Sequence, residues 1–505
     1  MDIVTALTTG LTGIFSVWLV FMLAYQLFIS FFGFKRSTKD YQDFPPKMRF
    51  LVLVPAHNEE NVIGDLVKNL SQMEYPRELY DFYILADNCT DRTAEVARSL
   101  GANVLESHKD RPDAPTGKPI VLQKALSSLG DYHKNYDLVM FFDADNLVDP
   151  NMFSEVNSQY LDANGTADII QCYLGSKNKK GIVALFYYMT YTITNRFFQQ
   201  AKSRLGLNSV IGGTGFAVSA DYLHRRGGWT AMSLTEDFEL QIESTCEGKR
   251  ILWNHNVRIY DEKPTHFRAS FRQRTRWAQG HWFVAFKNTG RLFRALAHGK
   301  IRFKEFLSTF LYMYSLTPYV ILLFELLLGV LMQVLQWTNV IPDVPAAASM
   351  GSWLTINWPS IGLFFYSFIF LFYVADAMDN QNRASFKTFF PMLLSVLLNT
   401  VLAGFAQVVG LVKHRHQNTW VKTEHSIHKL EDMTVFPQAI EAAPAVSETP
   451  AAVASAAHKA DTPERSAAAT AAAAKRKPQA HAPSAVMRSK RSQASAEEEE
   501  QTVSV

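Results

Sequence analysis

Residues 3–34 carry no charged side chain, and residues 11–34 are almost wholly apolar. A helix needs about 20 such residues to span the hydrocarbon of a bilayer. The run opens on Asp2 rather than a basic cluster. It closes on Phe31-Phe32-Gly33-Phe34 rather than a small-residue cleavage site. It therefore reads as an uncleaved anchor over residues 1–36, not as a signal peptide. Lys35, Arg36 and Lys39 follow it, and the positive-inside rule places the next segment in the cytoplasm.

Three more apolar segments come late, at residues 306–337, 353–375 and 388–412, which predicts a multi-pass protein of the cell membrane. Arg291, Arg294, Lys300, Arg302 and Lys304 mark the cytoplasmic side before the first. Residues 338–352 have no Lys or Arg and belong outside, and Arg383 and Lys387 bring the chain back. A crossing by 388–412 would leave Lys413, His414, Arg415 and His416 outside, against the rule. Two arrangements avoid this. Residues 388–412, which contain Pro391, Asn399, Gly404 and Gln407, lie in the interface or re-enter; alternatively 306–337, broken at Pro318, makes two passes. Glu325 lies within that run. A carboxylate at mid-bilayer costs roughly 2.5–3.5 kcal/mol, so it should face protein or water, lining a path or sitting at a pass boundary. Residues 291–436 are thus read as interfacial and transmembrane helices. Residues 437–505, rich in Ala, Pro, Ser and Thr, are read as a disordered tail too short for a regulatory domain.

The net charge of +3 (50 Lys+Arg, 47 Asp+Glu) shows no basic stripe, which argues against a nucleic-acid partner. Three widely spaced cysteines, Cys89, Cys172 and Cys246, exclude a disulfide scaffold and a Cys-based zinc site.

Residues 45–290 alternate strand and helix patterns. Short apolar runs at 50–54, 82–86, 103–105 and 138–142 read as buried parallel strands, with helices expected over 58–70 and 92–100. Three of the strands run out into polar or acidic residues: the first ends at Pro55 ahead of Asn58-Glu59-Glu60, and the others end at Asp87-Asn88 and Asp143-Ala144-Asp145. Ligands of open α/β sheets bind outside the carboxyl ends of strands, so this pattern predicts an α/β domain with a nucleotide-type site. Two carboxylates one residue apart can share a divalent cation with a diphosphate, although Asp-X-Asp also ends ordinary strands.

Further features stand in order along the chain: Pro55-Ala56-His57-Asn58-Glu59, Asp87-Asn88-Cys89-Thr90-Asp91, Gly117-Lys118, Thr235-Glu236-Asp237 and Gln273-Arg274-Thr275-Arg276-Trp277. With Asp143-Ala144-Asp145, the set resembles the family 2 glycosyltransferases over about residues 50–282. The Gln-x-x-Arg-Trp element is similar to that of the membrane-integrated, processive branch, the cellulose, chitin, hyaluronan and poly-N-acetylglucosamine synthases. Trp420-Val421-Lys422-Thr423-Glu424-His425 is similar to the Phe-x-Val-Thr-x-Lys gating loop of cellulose synthases, with Trp for Phe, Lys for Val and His for Lys. A gating loop over 418–428 is expected on that basis.

The resemblance implies a GT-A (Rossmann-like) catalytic domain inserted between transmembrane helices. It implies an inverting transfer from a UDP-sugar, glucose or N-acetylglucosamine, that elongates a β-linked polysaccharide and extrudes it. The non-processive alternative is transfer of one sugar to a lipid acceptor, and a nucleotide-sugar sensor is a third reading. The partners implied are the UDP-sugar donor, the growing polysaccharide, the lipid bilayer, and separate export or regulatory proteins. Asp237 is then the base that deprotonates the acceptor hydroxyl, although its place before a helical stretch also suits a capping acid. Asp143 and Asp145 would hold Mg²⁺ or Mn²⁺ against the diphosphate. Pro55, Ala56 and Glu59 would line the uridine pocket, Asp87 would bond the uridine, and Lys118 would approach the base or phosphates. Gly213, Thr214, Glu236 and Gln273 would line the substrate site. Arg276 would meet the phosphates, Trp277 would face the acceptor sugar, and Trp420 and Thr423 would belong to the gating loop. Arg268, Arg272 and Arg274 suit either lipid headgroups or a solvated basic helix face.

Overall fold

The computed structural model describes residues 3–109, 111, 116–338, 350–382 and 385–417. The expected gating loop at 418–428, with Trp420 and Thr423, and the tail at 437–505 lie outside the described residues.

Eight strands form one mixed sheet: β1 (Phe50–Ala56), β2 (Tyr80–Asp87), β3 (Asn103–Ser107), β4 (Leu138–Phe141), β5 (Leu147–Val148), β6 (Ile169–Ser176), β7 (Phe216–Ser219) and β8 (Ile251–Asp261). Their order is β3-β2-β1-β4-β7-β6-β8-β5. β1, β2, β3 and β4 run parallel, whereas β7 is antiparallel to both β4 and β6. The unbroken apolar run of β1 is explained by cover on both faces. Val52 and Val54 pack with Ile63 and Leu66 on one side, and Leu51 and Leu53 with Leu122 and Leu126 on the other.

An N-terminal helix, α1 (Ile3–Phe31), precedes the sheet, and the helices between and after the strands are α2 (Ile63–Ser71), α3 (Thr93–Ser99), α4 (Lys118–Ser128), α5 (Tyr132–Asn135), α6 (Met152–Asp162), α7 (Ile182–Thr194), α8 (Ala201–Arg204), α9 (Ala220–Arg225) and α10 (Glu236–Cys246). The helix expected from Asn58 starts only at Ile63. Asn58 adopts a left-handed φ of 57°, and its Oδ1 accepts Thr90 N–H at 2.7 Å, which ties the loop after β1 to the loop after β2.

Five long helices complete the described fold: α11 (Phe267–Ala297), α12 (Phe303–Met313), α13 (Thr317–Trp337), α14 (Met350–Asp379) and α15 (Phe386–Lys413). Residues 10–34 and 387–413 are long and apolar enough to cross a membrane. α12 and α13 form a pair bent by 47° at the break just ahead of Pro318. α1 meets α13 through Trp18 Nε1, which donates to Thr317 Oγ1 at 2.7 Å. Glu325 is buried within the protein.

α14 and α15 are tied to the sheet domain through polar groups. Asp379, at the end of α14, pairs with the fully buried Arg196 and lies 3.1 Å from His255 Nε2. Tyr188 donates to Asp376 Oδ1 at 2.5 Å. α15 then runs along α7 and α11. Met392 and Val396 pack on Phe186 and Met189, and Ser395 Oγ donates to Ile182 O at 2.6 Å. Gly410 packs so closely on α11 that a Cβ there would stand 2.8 Å from Gln279 N. Past the helix, Gln279 donates to His416 O, and Gln417 Oε1 accepts Leu234 N–H at 2.9 Å. The opposite face of α15 exposes Phe390, Leu394, Val401, Phe405 and Val412.

Candidate active site

The carboxyl ends of β1, β2 and β4 open into one cavity of about 1080 Å³. Pro55, Ala56 and Glu59 reach it from β1 and the loop that follows, and Asp87 from the end of β2. Lys118 comes from the start of α4, and Asp143 and Asp145 from just beyond β4. Asp87 is held in place because its Oδ1 accepts from Asn88 Nδ2 and Ser107 Oγ, each at 2.7 Å.

Lys118 links the two halves of the cavity. Its Nζ donates to Asp143 Oδ1 and to Gly213 O, each at 2.6 Å, and stands 3.7 Å from Glu236 Oε1. Burial opposes its charge, but Asp143 and Glu236 outweigh that and hold the ammonium above its usual range. Asp145 is buried, and its Oδ2 accepts Glu262 N–H at 3.0 Å. Among the described residues, no cluster of three or more His, Cys, Asp or Glu side chains is placed to enclose a metal. Asp143 and Asp145 nonetheless suit Mg²⁺ or Mn²⁺, because Mg²⁺ commonly takes one or two carboxylates and completes its shell with substrate phosphates and water.

Thr235, Glu236 and Asp237 sit at the start of α10, so the capping position and the cavity wall coincide. Two glycines explain their placement. Gly213, at φ 84°, lets Asp237 approach so that a Cβ would lie 3.2 Å from its Oδ2. A Cβ on Gly280 of α11 would lie 2.5 Å from Thr235 Oγ1. Burial raises Asp237 above its ordinary value and pushes Glu236 up to about 7, although Lys118 pulls both down. From α11, Gln273, Arg276 and Trp277 line the same wall, and Gln273 Oε1 accepts from Tyr187 at 2.9 Å.

Residues 45–280 match the profile of the glycosyltransferase like family 2. The chain carries a family 2 glycosyltransferase domain. Its mixed α/β sheet is that of a GT-A-like fold, and the protein is a sugar-transferring enzyme. It is 24% identical over 430 residues to the probable glycosyltransferase YdaM of Bacillus subtilis, covering 82% of this chain and 97% of that one. It is 28% identical to the beta-monoglucosyldiacylglycerol synthase of a Nostoc species, over 47% of this chain and about half (51%) of that relative. Among solved structures, a Pyrobaculum calidifontis mannosyltransferase in complex with GDP-Man and Mn²⁺ aligns with a TM-score of 0.49 and 17% identity. That alignment covers 74% of this chain and 98% of the mannosyltransferase.

In this glycosyltransferase the fourteen expected site residues within the described region, from Pro55 to Trp277, all line the one cavity. Arg274 differs from expectation. It lines the cavity and lies over the Phe186 and Tyr187 rings at 4.9 and 4.4 Å, directed inward rather than toward solvent or lipid headgroups. Sequence reasoning missed Tyr191, His281, Tyr312, Gln407 and Gln417, which also line the wall. Gln417 lies just past the end of α15, and the first four come from helices whose periodicity reports only that they are buried. It missed Asp261 as well, although that residue ends β8 as Asp87 ends β2. His281 stacks on Phe238 at 4.3 Å, and burial lowers its pKa to about 4, so it is neutral.

Proposed function

We propose that this enzyme is an inverting, metal-dependent glycosyltransferase of the cell membrane that moves one sugar from a UDP-sugar to a hydroxyl borne by a lipid. The observation that carries this reading is the lining of the cavity. Its lining joins the strand-end carboxylates and Asp237 with Tyr312 and Leu316 near the α12–α13 bend and with Gln407 of α15. The outer faces of α13 and α15 expose apolar side chains, so a lipid head can reach Asp237 while its tails stay against them. The partial similarity to the beta-monoglucosyldiacylglycerol synthase, over about half of that relative (51%), supports a lipid acceptor.

Residues 45–290 form the cytoplasmic catalytic domain in this reading, residues 1–36 the anchor, and 291–436 the interfacial and membrane helices. α15 lies in the interface, because contacts to the catalytic domain run along its length. The positive charge at 413–416 then stays inside. Asp237 takes the acceptor proton, and the freed oxygen attacks the anomeric carbon from the face opposite the departing UDP. Arg276 and Lys118 supply fixed positive charge on the leaving side. A divalent cation at Asp143 and Asp145 would neutralise the diphosphate. Trp277 offers an apolar face to the acceptor.

Processive synthesis of a β-linked polysaccharide is the second reading. The Gln273 to Trp277 element at the acceptor wall favours it, as does the resemblance to Arabidopsis glucomannan 4-beta-mannosyltransferases. Purified enzyme in lipid nanodiscs, given radiolabelled UDP-glucose or UDP-N-acetylglucosamine with Mn²⁺, should label material that extracts as a single-sugar lipid. High-molecular-weight product would establish the processive reading instead.

A further inference from the structure

The cavity lining joins the charged Asp143, Asp145 and Lys118 to a set of uncharged polar side chains: Thr190 and Thr194 of α7, Asn195 just after it, Gln273 of α11 and Gln407 of α15. Amides and hydroxyls of this kind complement the hydroxyls of a sugar or polyol.

Most of these amides already have partners. Asn195 exchanges hydrogen bonds with the Leu174 backbone, at 2.7 Å from its Nδ2 and 3.4 Å to its Oδ1. Gln273 is engaged by Tyr187. Gln407 differs. It is 9% exposed and lines the cavity, and among the amides of the described lining its oxygen is the one buried with no hydrogen-bond partner. Leaving a buried amide oxygen unpaired is unfavourable, and a half-turn of the amide can present either its oxygen or its nitrogen. Half a turn earlier on α15, Phe405 is exposed on the outer, apolar face. Gln407 is thus a polar group on the inner face of a helix whose outer face suits lipid.

We propose that Gln407 determines acceptor specificity by hydrogen-bonding an acceptor hydroxyl other than the one that loses its proton to Asp237. The acceptor is then a lipid whose head carries two or more hydroxyls, a glycosyl or polyol head, rather than a lone alcohol. This rests on the lipid-acceptor reading above.

The test uses the full chain in nanodiscs with UDP-glucose and Mn²⁺. The acceptors are dioleoylglycerol, with one hydroxyl, and its monoglucosyl derivative. The wild type should prefer the glucosyl lipid. Gln407→Met should raise KM for the glucosyl lipid about tenfold, the worth of one hydrogen bond, and leave KM for dioleoylglycerol and UDP-glucose in place. Gln407→Asn, which keeps the amide, should fall between. An unchanged KM for the glucosyl lipid, or equal rises for both lipids, overturns the proposal. If thermal unfolding shows that the Met variant does not fold, the Asn variant decides by the same ratio of KM values. Extension of cellotetraose with no transfer to either lipid overturns the lipid reading alone. Gln407 is then judged by KM for cellotetraose, where a rise in the Met variant supports its role and an unchanged value overturns it.

Discussion

Lys118 Nζ stands 2.6 Å from Asp143 Oδ1 and 3.7 Å from Glu236 Oε1, so one ammonium joins the donor carboxylates to the carboxylates around the proposed base. Removing one partner of a fully buried ion pair costs about 3–5 kcal/mol; the Asp143 side chain is 42% exposed and water can solvate it, so loss of the ammonium should cost less than that. Lys118→Met should therefore lower the thermal midpoint and raise KM for the UDP-sugar together. A variant with normal midpoint and normal KM would show that the bridge carries neither role.

Asp237→Asn keeps the shape of the site and removes the proton acceptor. General-base catalysis contributes about 10²–10⁴-fold, so kcat should fall by that factor while the affinity for UDP, measured by calorimetry, stays within about threefold. Full activity in this variant would remove Asp237 from the mechanism.

The pH dependence follows from burial at the same place. Glu236 is pushed up to about 7 from an ordinary 4.5, so between those values the folded protein holds a proton that the unfolded chain releases. Its stabilising contribution is complete below about 4.5 and is lost as pH rises toward 7. Thermal midpoints of the substrate-free protein should decline across that window, and Glu236→Gln should flatten the decline. A wild-type slope of opposite sign would contradict the assignment.

Chelation tests the metal. EDTA should abolish transfer, and Mn²⁺ or Mg²⁺ should restore it. Asp145→Asn should cost about 100-fold or more in kcat/KM, since metal stabilisation of a leaving group is worth several kcal/mol. Activity that survives exhaustive chelation would leave the charge to Arg276 and Lys118 alone.

Gly410→Val tests the seat of α15. A Cβ at this position runs into Ala278 and the backbone of Gln279, and overpacking of this kind costs about 1–3 kcal/mol. The midpoint should fall, and transfer to a lipid acceptor should fall with it. Unchanged values of both would mean that α15 is not seated on α11 in the membrane.

Much of the catalytic half was legible from the residues alone. The β1 run is apolar at successive positions because helices cover both faces, and the polar residues His57, Asn58 and Glu59 follow because the strand ends at Ala56 on the ligand side. The first helix was misplaced because Asn58 is held left-handed by a contact with Thr90, which lies 32 residues along the chain. Arg274 was misread because its companions Arg268 and Arg272 are exposed while it turns inward over two aromatic rings, a choice made by α7 and not by spacing.

By itself the sequence determined which stretches are apolar enough for a bilayer and where the strands end in acids, and it showed that these acids, Lys118 and the Gln273 to Trp277 element together resemble the set of the family 2 glycosyltransferases. Strand burial and side-chain chemistry are local properties, written in runs of a few residues. Tertiary structure alone decided that residues 386–413 lie along α7 and α11, that Gln407 lines the same cavity as Asp237, and that Lys118 bridges Asp143 and Glu236. Those relationships depend on helix-to-helix approach at Gly280 and Gly410, where a missing Cβ lets distant segments meet. No periodicity within either helix specifies its partner.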